Sequence, residues 1–244
     1  MTEILVPTES VPPWMRPLTE NLAGVTQSVE DRGGMTARLM RSMMPTSRPA
    51  AVLILISGDW DGDPTHHGGV PADATVLLTQ RASTLRNHGG QIAFPGGARD
   101  PGDDFPMGTA MREAEEETGL DPAGVSNLAV LDMFPLPPSG FEVSPVIAYW
   151  TELSEVGVVD TGETSRVVRV PLRDLIDPRN RIQVERMVAG ARVYQAPAFC
   201  VDGMLVWGFT GGLLSAIIDA AGWEIPWDKS DVRDLEVELA KVGQ

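Results

Sequence analysis

Glu113, Glu116 and Glu117 fall within the run Arg112-Glu113-Ala114-Glu115-Glu116-Glu117. On a helix these three positions are related by i, i+3 and i+4, so their carboxylates converge on one face. Met107, Ala110, Met111 and Ala114 supply a largely apolar strip for packing. Crowded carboxylates repel one another unless cations sit between them. Hard divalent ions such as Mg²⁺ prefer carboxylate oxygens and keep waters that can bridge to phosphate. Two such ions can activate a water and neutralise charge building on a pyrophosphate under attack. Taken alone, a Glu-rich helix is more often a solvated face, so the surrounding elements have to decide.

The pattern predicts a helix from Phe105 to Thr118 that stops at Gly119, a natural residue just past a helix end. Turn chemistry precedes it, in Pro95-Gly96-Gly97 and Asp100-Pro101-Gly102. Upstream, Ala50 to Ile56 reads as a buried strand, with a second strand at Ala74 to Gln80 expected to pair with it. Downstream strands are expected at Leu128–Phe134, Val143–Trp150, Thr164–Val170, Ile182–Val188 and Val193–Phe199, and a last helix at Phe209–Ala221. The Pro-rich stretch Pro135-Leu136-Pro137-Pro138 should break the chain between the first two of these strands. Met35, Leu39 and Met43 recur at helical spacing within Val29–Met44 and suggest one short helix there. Strands on both sides of a central helix, with a second helix near the end, indicate an α/β fold: a mixed sheet covered on both faces, an α/β/α sandwich. The expected organisation is an N-terminal extension over 1–48, a catalytic domain over 49–222 and an acidic, weakly periodic tail over 223–244.

Gly97, Arg112-Glu113, Glu116-Glu117 and Gly119-Leu120 together resemble the Nudix box, the loop-helix-loop signature of nucleoside-diphosphate-linked hydrolases. Fourteen residues separate Gly97 from Arg112, one more than in the general box, with Asp103 in its acidic loop position. The segment Leu77-Leu78-Thr79-Gln80-Arg81-Ala82-Ser83-Thr84-Leu85-Arg86-Asn87-His88-Gly89-Gly90-Gln91-Ile92-Ala93-Phe94-Pro95-Gly96-Gly97 is similar to the stretch that precedes the box in the coenzyme A pyrophosphatase branch. That branch carries the same one-residue expansion. Weaker matches at Gly140–Val146, Val170-Pro171-Leu172 and Trp207-Gly208-Phe209-Thr210 extend the likeness over roughly residues 50–220.

The resemblance implies a Nudix-type sandwich and water attack on one phosphorus of a P–O–P linkage. Coenzyme A or a derivative would be split into 3′,5′-ADP and 4′-phosphopantetheine or its acyl form. Glu113, Glu116 and Glu117, with the Gly97 carbonyl, are the implied ligands of Mg²⁺ or Mn²⁺. Glu116, Glu117 and the loop acid Glu163 are the candidate catalytic groups, Glu163 as general base. Arg81 and Arg86 can offer guanidinium forks to phosphate oxygens, with His88 and Gln91 as further substrate contacts. Arg112 is expected to tether the helix through Glu115 or Asp103 rather than to touch substrate. Two other readings stay open: a Nudix pyrophosphatase for ADP-ribose, NADH or a nucleoside triphosphate, and a Nudix module that senses a nucleotide without cleaving it.

Composition narrows the partners. A net charge of −15 repels phosphodiester backbones at long range and disfavours nucleic acid as a ligand. It also means that local arginines and cations must reverse the field at any phosphate site. The longest apolar run, Ala50 to Ile56, falls far short of the roughly 20 residues that span a bilayer, and Met1-Thr2-Glu3 opens no signal-like segment. A single cysteine, Cys200, cannot form an internal disulfide, which suits a reducing, cytoplasmic setting. Cys200 lies in an apolar strand context and reads as core. His66-His67 sits on a Gly/Asp loop without metal-ligand spacing. A small coenzyme A-like nucleotide is the expected partner, without membrane or nucleic acid, and a homodimer is left open.

Overall fold

The computed structural model describes residues 2–31, 48–85, 88–136, 140–188 and 191–244. The chain begins with β1 (Glu3–Ile4), α1 (Arg16–Glu20) and a second helix, α2, over residues 22–31. The proposed helical positions Met35, Leu39 and Met43 lie outside the described residues. Then come β2 (Arg48–Ser57), β3 (Thr75–Arg81), β4 (Ile92–Ala93), β5 (Gly96–Ala98) and α3 (Met107–Thr118). These are followed by β6 (Val125–Val130), β7 (Phe134–Leu136), β8 (Phe141–Trp150), β9 (Thr164–Pro171) and α4 (Leu172–Ile176). The chain closes through β10 (Arg181–Val188), β11 (Ala191–Val201), β12 (Met204–Val206), α5 (Gly208–Ala220), β13 (Val232–Asp234) and α6 (Leu235–Val242).

The sheet that carries the site is mixed. Its strand order is β1-β6-β8-β2-β3-β4, with β5 on β2, β7 on β8 and β9 on β3. β2 runs parallel to β8 from Arg48↔Phe141 to Ile56↔Tyr149, and the other pairings in this sheet are antiparallel. β2 sits in the middle and is apolar at successive positions because both of its faces are covered. Ala51, Leu53 and Leu55 point to one side with Val146 and Ala148 and meet Ala110 and Ala114 of α3. Ile54 and Ile56 point to the other with Ile147 and Tyr149 and meet Leu213, Leu214 and Ile217 of α5. The period-2 alternation of one strand thus builds two cores, and the result is the expected sandwich.

One strand expectation holds over a short stretch and another changes. β3 meets β2 only at Ile56↔Val76 and Ser57↔Thr75, and its long partner is β9, from Thr75↔Pro171 to Arg81↔Thr164. The space beside β2 goes instead to β5, where Gly96 can approach because a Cβ there would lie 2.4 Å from the Ala51 carbonyl oxygen. The strand expected at Leu128–Phe134 is two strands, β6 and β7, which both pair with β8; Pro135 lies inside β7 rather than ending it.

Both chain ends pack against the rest of the fold. Val11, Trp14, Met15, Leu18, Leu22 and Val25 are buried and join the α5 side of the sheet. Residues beyond Trp223, weakly periodic in sequence, form β13 and α6. β13 pairs parallel with β10, which with β11 and β12 makes a second sheet in the order β12-β11-β10-β13. Leu235 of α6 is fully buried against Ile182, Val184, Ala198 and Leu205. Trp223, also fully buried, packs at a tilt on Trp14, with ring centroids 5.4 Å apart, and donates its indole N–H to the Trp14 carbonyl at 3.1 Å. Trp223→Ala should therefore lower stability by about 3–5 kcal/mol through the cavity it leaves. Urea unfolding checks this, the expected result being a lower midpoint with unchanged slope.

Candidate functional site

α3 is placed by what sits beneath it. Ala110 and Ala114 are small enough for the helix to lie close on β2, and the Gly96–Gly97 edge of β5 removes side chains from the strip facing its carboxylates. A Cβ on Gly97 would lie 2.4 Å from the Glu113 carboxyl carbon. The helix closes at Gly119, left-handed at φ 70, whose N–H reaches the Glu115 carbonyl at 2.8 Å.

Arg112 is the tether the sequence led one to expect, and the partner is Asp103 rather than Glu115. Its Nε and Nη2 donate to the two Asp103 oxygens at 3.2 and 3.0 Å, and Nη2 also donates to the Ala98 carbonyl at 3.0 Å. The guanidinium, with an N–H from Asp100 and the Thr109 hydroxyl, holds the Asp103 carboxyl far below the usual carboxylate range. Nη1 reaches Glu113 and Glu116, each at 3.0 Å. One arginine thus stitches the loop before the helix, the β5 edge and the helix itself.

The three glutamates separate by depth. Glu116 is largely exposed and lies at the rim on Arg112. Glu113 is half-buried, and burial raises its pKa against the pull of Arg112. Glu117 faces the sheet and accepts the Gly96 N–H at 3.3 Å. Burial pushes its pKa up to about 7; the Gly96 N–H and the Arg81 charge oppose the rise, while Glu113 and Glu163 add to it. Among the described residues no three His, Cys, Asp or Glu side chains are gathered as a ready metal cluster, because Arg112 draws Glu113 and Glu116 toward itself. The donor chemistry nevertheless fits a hard divalent cation. Glu117 is a carboxylate whose charge is poorly compensated where it lies, Glu113 is a second one four residues away, and Gly97 leaves room for the Glu113 carboxylate against β5.

Arg81 ends β3, and its charge is felt at Glu117. Its backbone is closed into a loop by Gly90 and Gln91: the Arg81 N–H donates to the Gln91 carbonyl and the Gly90 N–H to the Arg81 carbonyl, both at 3.0 Å. The Glu163 carbonyl accepts the Ala82 N–H at 2.8 Å, which seats that loop acid beside Arg81. His88, with φ 58, is exposed, and its Nδ1 lies 2.9 Å from Oε1 of Gln91, so these two candidate substrate contacts hold each other. Arg86 lies outside the described residues. Cys200 is half-buried in β11, and desolvation raises its thiol pKa, as befits a packing residue. His67 places Nε2 3.0 Å from the Glu224 carbonyl, remote from the acidic helix in sequence and partners. Sequence reasoning missed Ser165 and Gln80, whose side chains support the Arg81 turn through the Gln80 and Gly90 carbonyls. Both are polar residues within strands, with no local signal to single them out.

The chain is similar to known proteins. Residues 62–189 match the NUDIX domain. An uncharacterized Nudix hydrolase, NudL, of Pectobacterium atrosepticum is 35% identical over 146 residues, 57% of this chain and 71% of that protein. The mitochondrial Nudix hydrolase 15 of Arabidopsis thaliana is 33% identical over 172 residues, 68% of this chain and 56% of that one. Among solved structures, the Nudix hydrolase RenU of M. smegmatis is 25% identical over 53% of this chain and 74% of that chain, with a TM-score of 0.40.

Glu117 generates a pH prediction. A carboxyl whose proton is held more tightly in the folded than in the unfolded chain stabilises the fold below the ordinary glutamate value of 4.5 and loses that contribution as pH rises toward 7. Metal-free protein should thus lose up to about 3 kcal/mol between these limits, and Glu117→Gln should flatten the loss. Urea midpoints measured with chelator across this range are the check, and parallel curves for the two proteins would contradict the assignment.

Proposed function

The chain belongs to the Nudix family of pyrophosphohydrolases, and from that premise we propose that it cleaves the pyrophosphate linkage of coenzyme A or its derivatives, yielding 3′,5′-ADP and 4′-phosphopantetheine or the acyl form. The observation that carries the chemistry is the Glu117 carboxyl, half-buried against the Gly96 edge with Glu113, Arg81 and Glu163 within electrostatic reach. A site for a phosphoanhydride needs both signs of charge at close quarters, and this is where an acidic chain provides them. The substrate choice is supported by the segment Leu77 to Gly97, whose pattern of Leu-Leu-Thr, two arginines and Phe-Pro-Gly-Gly resembles the coenzyme A branch.

Nudix hydrolases generally use divalent metal ions. In this chain Glu113, Glu116 and Glu117 with the Gly97 carbonyl would hold Mg²⁺ or Mn²⁺, which when bound neutralises phosphate charge and acidifies water. Holding the ion requires Glu116 to exchange its contact with Arg112. Arg81, together with Arg86, His88 and Gln91, binds and orients the phosphates. Glu163, tied to the Arg81 turn through its backbone, is the base that takes the proton of the attacking water. As the new P–O bond forms the bridging P–O bond breaks, and the departing phosphate carries the electron pair away. Arg112 keeps the acidic helix and its loop in register throughout.

Product chromatography tests the reading, using Mg²⁺ or Mn²⁺ and a panel of coenzyme A, acetyl-coenzyme A, NADH, ADP-ribose and dGTP. Release of 3′,5′-ADP from the coenzyme A compounds alone is the expected result. Efficient cleavage of ADP-ribose or NADH instead would overturn the substrate while leaving the chemistry. Glu117→Gln should reduce turnover by at least about a thousandfold in a folded protein, as expected for loss of a group central to charge stabilisation; full activity in that variant would overturn the site.

A further inference from the structure

Gly90 occupies a position where two parts of the chain distant in sequence meet. It is left-handed, at φ 76, and its N–H closes the turn onto the Arg81 carbonyl. Its own carbonyl accepts two side-chain donors: Nε2 of Gln80 at 3.2 Å and Nε2 of Gln244 at 2.9 Å. The other end of the Gln244 amide is also engaged, because Oε1 accepts the backbone N–H of Leu205 in β12 at 2.8 Å. The amide is therefore a strut with one end on the turn beside the acidic helix and the other on the second sheet.

The strut is held firmly at its base. α6 starts at Asp234, whose side chain accepts the Val237 N–H, and ends at Gly243, left-handed at φ 68. The Gln244 N–H then returns to the Leu239 carbonyl at 3.1 Å, a Schellman-type closure that fixes the backbone from which the amide projects. Leu235, fully buried, docks the helix on β10 to β12. A Cβ added to Gly90 would stand 3.7 Å from the Gln244 Cα, so the two backbones are in near contact.

We propose that Gln244 is a positioning residue for the hydrolytic site: through Gly90 it sets the direction in which the Arg81 guanidinium meets the substrate phosphates. This rests on the reading of Arg81 as a phosphate-binding group. The pieces form one chain of hydrogen bonds, from the second sheet through the Gln244 amide to Gly90 and from Gly90 to the Arg81 backbone. The second sheet and α6 thereby act on substrate binding without supplying a residue that touches substrate. Because the strut bears on orientation of a binding group rather than on the reacting atoms, its loss is read in KM and not in kcat.

Gln244→Glu is the discriminating variant. It keeps an acceptor for the Leu205 N–H but replaces the donor to Gly90 with an oxygen that repels the carbonyl. With whichever pyrophosphate substrate the wild type cleaves, KM should rise about fivefold, the worth of one hydrogen bond, while kcat stays within about twofold. In an Arg81→Ala background the same change should move KM by less than about twofold, since residues acting in series are not additive. Equal increments in both backgrounds, or an unchanged KM for Gln244→Glu, overturn the positioning role alone. An Arg81→Ala variant with unaltered KM overturns the reading of Arg81 as well. Amide hydrogen exchange over Gly90–Ile92 gives an answer independent of turnover. Exchange there should quicken in Gln244→Glu while β10 and β11 keep their protection, and unchanged protection at Gly90 overturns the proposal.

Discussion

Everything at the site depends on a carboxylate-bearing helix lying directly on the face of a sheet. That approach requires a floor without side chains, and Gly96 and Gly97 form it: either Cβ would collide, one with β2 and the other with Glu113. It also requires a helix face that is narrow where it packs, and Ala110 and Ala114 make it so. Once the helix is down, Glu113 and Glu117 are partly withdrawn from water, where a negative charge is poorly tolerated unless compensated. The site is thus built to have an unmet need for positive charge.

The rest of the local structure divides the available cations between two tasks. Arg112 is spent on architecture, bridging Asp103, the Ala98 carbonyl, Glu113 and Glu116. A lysine could not do this, because the planar fork serves several acceptors at once in fixed directions. Arg81 comes from the opposite side, on the strand that pairs with β9, and acts on Glu117 by charge alone. An arrangement that satisfied every carboxylate internally would be more stable and chemically inert. Here the deepest carboxylate is given one backbone N–H and a distant guanidinium. The balance leaves room for a cation and for phosphate, and it lets a chain with a net charge of −15 take an anionic substrate.

Legibility in the sequence followed the range of the interactions involved. α3 and its stop at Gly119 were readable because the carboxylate spacing, the alanines and the terminal glycine all act within a few residues. β2 was readable because a strand buried on both faces leaves a continuous apolar run. Its pairing with β3 was expected but not how short that pairing is, since nothing in Ala74–Gln80 records that β5 occupies the place beside Ala51 and Val52. Pro135 was taken as a break although a proline is tolerated where the neighbouring strand does not need its N–H. The tail was misjudged for a related reason. Leu235, Leu239 and Val242 do recur at helical spacing, but over only eight residues, and the parallel pairing of β13 with β10 joins positions some fifty residues apart. Among the candidate site residues, Glu113, Glu117 and Arg112 announced themselves through local pattern, whereas Gln80, Ser165 and Gln244 act through one or two hydrogen bonds that no spacing encodes.

The two cores also explain why accessory segments are retained beside a compact hydrolytic unit. The face of the sheet away from α3 is covered by α5, which is apolar nearly all round, and α5 in turn needs cover. Trp14 and Trp223, from opposite ends of the chain, close over it and bond to each other. The second sheet grows out of the strands that lead into α5, so its position is set by the same packing. From there β12 and α6 reach back toward the turn at Gly90. The hydrophobic closure of one face of the sheet thereby fixes the place from which a polar contact reaches the other, and the extensions are continuous with the site they border.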